Sequence, residues 1–189
     1  MGKVFDEIDE RIARWVGRQR LFFVATAPLA GDGLINCSPK GLDTLRITGP
    51  KELAILDLGG SGVETIAHLK QNRRIVVMMC AFAGPPRIFR FHGHGDVIEP
   101  GDARFEAMLG HFAGFASARS IIRVELTRIS DSCGFGVPRY DFRGDRDAMI
   151  KWVDSKTPEE MQRYRAENNR ASIDGLPGLA LPDTGEPDT

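Results

Sequence analysis

Three side chains with hydrogen-bond donors recur at alternate positions in "INCSPKGLD": Asn36, Ser38 and Lys40. In an extended segment residues two apart face the same side, so an amide, a hydroxyl and an ammonium converge on one surface. That combination suits an anion, above all a phosphate. A second stretch, "DLGGSGVETIAHL" from Asp57 to Leu69, runs from an apolar strand through Gly59, Gly60, Ser61 and Gly62 into helical spacing. Small residues there let another group approach the backbone, and a helix start offers N–H donors with a partial positive charge. Ser61 and Thr65 add hydroxyls. The bland alternative is a capping box, Ser61 with Glu64 three residues on. On local chemistry the cap and the phosphate site weigh evenly, because both use the same donors.

Neither nucleotide motif of this general kind is present. A P-loop needs Gly-Lys-Ser/Thr, and here Val63 and Glu64 follow Gly62; the dinucleotide fingerprint needs glycine where Thr65 stands. His92 and His94 flank a glycine at strand spacing, but no third ligand stands at diagnostic distance, so ordinary strand histidines are expected rather than a metal. Cys37, Cys80 and Cys133 form no CxxC pair and read as reduced, buried small hydrophobes. No Ser-His-Asp or paired-carboxylate constellation stands out.

The elements that must position these groups follow from periodicity. Phe5, Ile8, Ile12, Trp15 and Val16 predict a first amphipathic helix ended by Gly17. "LFFVATAP", "LINCSP", "LRIT" and "ELAILDL" predict four strands, and a helix over Val63–Gln71 follows the glycine loop. "RIVVMMCAF" is the most apolar run and predicts a central strand. "RIFRFHGHGDVI" predicts a bent or bulged one, and "SIIRVELTRIS" alternates cleanly. Pro100 opens a predicted helix with Phe105, Met108, Leu109 and Phe112 buried, and two more helices follow around Ala148–Val153 and after Pro158. Strict β-α-β alternation is absent, which argues against a doubly wound fold. The expectation is a mainly β, α+β protein: a six- to seven-stranded antiparallel split barrel with peripheral helices. Residues 1–145 would form the barrel domain, 146–176 a helical extension packed on it, and 177–189 a mobile tail.

The 189 residues carry a formal net charge of -1, with 42% hydrophobic and 27% charged residues. That size allows one well-buried core, and the balance of charge gives no global basic field for nucleic acid. The longest apolar run falls short of a membrane span and the N-terminus lacks an apolar signal core, so the expected location is cytoplasmic.

Taken together, "FFVATAP", "GLINCSPKGLD", "LDLGGSGVETIAHLKQNRRI" and "RIFRFHGHGDVI" resemble the pyridoxamine 5'-phosphate oxidase-related family of FMN-binding split barrels, over Gln19 to Val97. "CGFGVPRYDF" to "SIDGLP" resembles the C-terminal part of one subgroup. The resemblance implies a homodimer with FMN at the subunit interface and a small-molecule substrate. It implies phosphate contacts from Asn36, Ser38 and Lys40 on one element and from Ser61, Gly62 and Thr65 on the other. The glycine-punctuated loop holding Arg139 has two readings: a turn leading out of the last strand, or a cofactor-binding loop that brings Arg139 to the partner's flavin. The chain departs from the vitamin B6 oxidase itself: Thr65 stands where that enzyme has a basic helix residue, and its Arg-x-Val-Leu-Leu-Lys strand and Arg-x-His signature are missing. The expectation carried forward is therefore an FMN-dependent oxidoreductase of unknown substrate. The alternative is a non-catalytic flavin or haem carrier, or a stress-related protein.

Overall fold

The computed structural model describes residues 2–112, 115 and 118–181. Eight strands and five helices follow in the order β1 (Val4–Phe5), α1 (Glu10–Val16), β2 (Phe22–Thr26), β3 (Asn36–Lys40), β4 (Leu45–Gly49), β5 (Glu52–Asp57), α2 (Glu64–Asn72), β6 (Arg74–Cys80), β7 (Ile88–Ile98), α3 (Phe105–Leu109), β8 (Ser120–Ser132), α4 (Ala148–Asp154) and α5 (Pro158–Asn168). The strands form one sheet in the order β3-β2-β6-β7-β8-β5-β4, with β1 added to β8. Every pairing is antiparallel. The sheet curls into a half-barrel whose free edges are β3 and β4, the split barrel expected, with one short strand more than the sequence suggested.

The apolar runs build this sheet for identifiable reasons. β6 lies between β2 and β7, and its alternate residues Ile75, Val77 and Met79 enter the core. β5 is buried on both faces from Leu53 to Leu56, which its unbroken apolar run anticipates. Phe89 and Phe91 of β7 stack in the core with centroids 5.8 Å apart, and Trp15 of α1 packs on Phe89 at 4.9 Å. The bend predicted in β7 is a register shift between His92 and Gly93. A Cβ on Gly93 would lie 2.2 Å from the Glu125 carbonyl oxygen, so the two longest strands touch at a distance only glycine permits.

Several local expectations are corrected. The first helix is shorter than its pattern: Phe5 joins β1, and Asp9 caps the helix by accepting from the Ile12 amide at 2.7 Å. The helix after Pro100 is reduced to Phe105–Leu109, although Phe112 is buried as expected. Cys80 is buried, but Cys37 and Cys133 are exposed because they fall on the outward positions of β3 and on the loop after β8. Of the segment expected as a tail, residues 177–181 lie along α2: Leu179 packs with Val63 and Ile66, and its amide donates to the Asn169 carbonyl. Residues 182–189 lie outside the described residues. Among the described residues no helix is long and apolar enough to cross a membrane.

Gly93→Ala should lower the unfolding free energy by about 1–3 kcal/mol, the usual cost of forcing a methyl into a packed strand contact. Urea unfolding would measure it, and a change within error would show that β7 and β8 can part there.

Candidate functional site

β3 is an edge strand, and its inward positions carry the polar alternation. Asn36 pairs with Thr26 across the ladder and Ser38 with Val24. The Ser38 hydroxyl donates to Asn36 Oδ1 at 3.0 Å, and Asn36 Nδ2 donates to Thr65 Oγ1 at 2.9 Å. Three of the residues expected to act together are thus one hydrogen-bonded chain, running from the edge strand to the first turn of α2. Lys40 lies farther along the same strand, with its ammonium 3.5 Å from Asp57 Oδ1. An ammonium has three donor hydrogens, so this contact leaves two for another acceptor.

The glycine loop is fixed from behind. Arg119, at the entrance to β8, donates from Nε to Asp57 Oδ2 (2.9 Å), from Nη1 to the Gly60 carbonyl (2.9 Å) and from Nη2 to the Gly62 carbonyl (2.7 Å). Asn169, just past α5, donates to the carbonyls of Gly60 (3.0 Å) and Ser61 (3.2 Å). Three successive carbonyls therefore turn toward Arg119 and Asn169. Peptide planarity turns the following N–H groups the other way. Among the described residues no acceptor pairs with the amides of Ser61, Gly62, Val63, Glu64 or Thr65. Gly59 and Gly60 adopt φ of +136° and +127°, where a side chain would be strained.

The alternative reading, a capping box at Ser61 and Glu64, does not form. Val63 is the cap residue and no side chain bonds the helix start. Glu64 instead folds over Gly62 and accepts from the Ile173 amide at 3.4 Å. A true capping box lies elsewhere, at Thr157 and Glu160 on α5. With the cap reading gone, the helix N-terminus keeps its donors for a ligand. Donors that suit a phosphate adjoin one another: the Ser38 and Thr65 hydroxyls and the Asn36 amide are linked at the start of α2, whose first main-chain N–H groups have no side-chain cap, while Lys40 stays on Asp57 and Glu64 reaches residue 173.

Asp57 is buried with its partners. Burial alone would raise its pKa, but the charges of Lys40 and Arg119 and their hydrogen bonds outweigh this and hold it below the usual carboxylate range. His68, one turn beyond Thr65, is fully buried. Its Nδ1 lies 3.0 Å from Thr26 Oγ1 and its Nε2 has no partner. Burial lowers its pKa, against the raising influence of Asp174, Glu64 and Thr26, so the ring is held neutral.

Arg139 stands apart from this group. It is exposed on the loop after β8, beside Tyr140, whose amide donates to the Phe82 carbonyl and whose ring packs on Phe82 at 5.3 Å. No hydrogen bond or ion pair among the described residues joins it to Asn36, Ser38 or Thr65. Arg119, Asp57, Asn169 and His68 were missed in the sequence. Only Asp57 carries a signal, an acid closing a fully apolar strand. Arg119 and Asn169 are brought to the loop by pairing and packing alone. His92 is half-buried and His94 exposed, and no cluster of three metal-ligating side chains occurs among the described residues.

Comparison with known proteins bears on the family and the fold. No family model matches the chain. The chain is 36% identical over 201 positions to the pyridoxamine 5'-phosphate oxidase family protein ustO of Aspergillus flavus, spanning 96% of this chain and 80% of that protein. Among solved structures, HupZ of Group A Streptococcus superposes with a TM-score of 0.53 at 20% identity, over 65% of this chain and 91% of HupZ. A candidate pyridoxamine 5'-phosphate oxidase from Lactobacillus delbrueckii gives 0.51 at 15% identity, over 67% and 98%. At those identities the structural likeness shows the shared fold.

Asp57→Asn would leave the Arg119 guanidinium buried without its counter-charge and should cost about 3–5 kcal/mol in denaturant unfolding. A loss below about 1 kcal/mol would mean that water or the substituted amide oxygen makes up for the missing carboxylate. For His68 the sign runs with its lowered pKa. As pH falls below the ordinary value of 6.5, the unfolded ring takes a proton before the folded one. Stability is therefore complete above that pH and declines below it, at up to about 1.4 kcal/mol per pH unit for one group. His68→Gln should flatten this decline while His92, lowered by burial and by Arg128 and Arg90, keeps its own share. An unchanged slope would place the titration elsewhere.

Proposed function

The chain belongs to the pyridoxamine 5'-phosphate oxidase family, and from that membership and the site above we propose that it binds FMN and acts as an FMN-dependent oxidoreductase on a small molecule. One observation carries the reading: the Ser38–Asn36–Thr65 hydrogen-bonded chain meets a helix start whose amides have no protein acceptor, because Arg119 and Asn169 hold the loop carbonyls away from it. A phosphate monoester is the ligand group that such a set of donors fits best.

Under this reading Thr65, fixed by the Asn36 amide, donates its hydroxyl hydrogen to the phosphate, Ser38 turns its single hydroxyl hydrogen from Asn36 Oδ1 to the phosphate on binding, and the amides of Ser61 and Gly62 complete the cradle. Lys40 extends toward the ring end, where its charge favours the anionic reduced form. The flavin supplies the redox chemistry, exchanging hydride or electrons with the substrate, so the protein's task is to bind, orient and exclude water. That division accounts for a site without a side-chain nucleophile. The buried Asp57 is no candidate base, because two cations keep it ionised and both of its oxygens are engaged.

A second copy of the chain is part of the proposal. Leu34 and Ile35 are exposed at 53% and 78% immediately before Asn36, and Ile173 is exposed at 75%. Asp174 accepts from the Leu34 amide at 2.9 Å, which brings Ile173 to the same corner. An apolar rim beside a cofactor cradle suits a twofold partner that covers the flavin, and Arg139 of that partner is the proposed visitor.

Titration of FMN should show tight, saturable binding, with flavin fluorescence altered on uptake. Ser38→Ala and Thr65→Val should each weaken FMN by about tenfold or more, the worth of one hydrogen bond to a charged group. Riboflavin, which lacks the phosphate, should respond to neither substitution. Equal losses for both ligands would remove these residues from a phosphate site, and no uptake of FMN would remove the function.

A further inference from the structure

A cavity of about 600 Å³ lies between the glycine loop and the C-terminal helices, with Gly41 and Gly60 on one side and Met149, Trp152 and Tyr164 on the other. That volume is in the range of small-molecule sites. We infer that this cavity is the substrate chamber and takes a planar, mostly apolar molecule bearing an acidic group. The inference rests on the flavin reading above and adds to it a place and a chemistry for the substrate.

The helices that wall the chamber are built in an unusual way. Neither α4 nor α5 contains a buried residue. A seven-residue helix such as α4 gains little from its own hydrogen bonds and owes its stability to an apolar face packed on something. Yet Trp152 and Tyr164, in edge contact at 4.7 Å, remain half-exposed and face the opening together with Met149. Their rings offer flat apolar walls, which a planar guest would cover more fully than an aliphatic one.

Charge selects within that class. Arg20 and Arg146 line the chamber, and neither has a carboxylate partner among the described residues. The Arg20 guanidinium lies over the Phe142 ring, 5.4 Å from its centroid, at the boundary between this chamber and a neighbouring cavity, and that contact leaves its charge unneutralised. Asp145 is also in the lining, so two cations face one anion. An apolar guest with a single carboxylate or similar group balances the set.

The position ties the chamber to the flavin. Gly41 follows Lys40 directly, and Gly60 is the residue whose carbonyl Arg119 and Asn169 hold in place. A Cβ built on Gly60 meets nothing within 4 Å, so the space beside the loop is open. The phosphate cradle and the chamber thus share the loop as a common wall. Asn169, at the end of the same α5 that supplies Tyr164, lies against that loop, and Arg165 on that helix is close enough to Arg119 and Asp57 to feel their charges.

Naphthalene-2-carboxylate is a suitable probe. Calorimetric titration into the FMN-loaded protein should give one saturable site per chain and perturb the flavin's visible absorption band. Naphthalene-2-carboxamide, without the charge, should bind more weakly. Ala148→Trp, which fills the chamber from an exposed position on α4, and Trp152→Ala, which removes a wall, should each raise the Kd for the carboxylate about tenfold while leaving that for FMN unchanged. Displacement of FMN by the carboxylate would overturn the inference, since the cavity would then be the flavin's own seat. So would wild-type affinity in both variants, or no heat in a yellow, folded protein. A chain that takes up no FMN yet still binds the carboxylate, sensitively to Ala148→Trp, would support the chamber and sink the flavin reading instead.

Discussion

The buried contact between Asp57 and Arg119 is the interaction on which the rest of this site depends. Asp57 closes β5 and Arg119 precedes β8, and the two strands are paired from Glu52–Glu125 to Asp57–Ser120. The ion pair sits at the last rung of that ladder, with both side chains almost fully buried. Two charges in such a place cost several kcal/mol of lost hydration each, and their attraction returns this only when every polar atom is engaged. Here the condition is met on the arginine: Nε serves the carboxylate and the two terminal nitrogens serve the Gly60 and Gly62 carbonyls. The pair is therefore less a source of stability than a means of fixing a shape.

What it fixes is the direction of a glycine loop. Gly59 and Gly60 can adopt left-handed φ values freely, so without restraint the loop would sample many arrangements and its amides would point anywhere. Arg119 from one side and Asn169 from another remove that freedom by holding three carbonyls. The donors left over point together, and preorganised donors lose little entropy when a ligand arrives. Lys40 shares the same carboxylate from the opposite strand edge. One buried acid thus connects β3, β5, β8 and the loop, and the geometry of the candidate cradle follows from it.

This dependence also explains which parts were legible in the sequence. The strands were, because β5, β6 and β8 are long apolar or alternating runs whose period needs no tertiary context. The alternation Asn36–Ser38–Lys40 was legible for the same reason: a strand of any partner places those side chains on one face. The Ser61–Glu64 pattern allowed a cap that does not form, since the pattern is local but its formation is not. With Arg119 holding the Gly62 carbonyl, Glu64 is turned toward residue 173 and the helix begins at Glu64, after Val63 at the cap position and with no side-chain cap. Asn169 is 109 residues from the carbonyl it holds, and nothing near it in the chain announces that role. Cys37 and Cys133 were expected inside on composition, whereas the pleat and a loop put them outside.

The C-terminal segment then appears as part of the barrel's working end rather than an appendage. Asn169 reaches the glycine loop, Ile173 and Asp174 meet Glu64 and Leu34, and Leu179 fills the space beside Val63 and Ile66. Apart from the Asp174–Leu34 bond just before β3, each contact falls on the loop or on the first turns of α2, so this segment and the loop are coupled through shared atoms. α4 and α5, by contrast, bury nothing of their own. With the segment anchored at its end and its helices half-covered, the proposed chamber lies between them and the loop. Occupancy of that space would bury the half-exposed faces of Trp152 and Tyr164 and so stabilise the helices that complete the binding site.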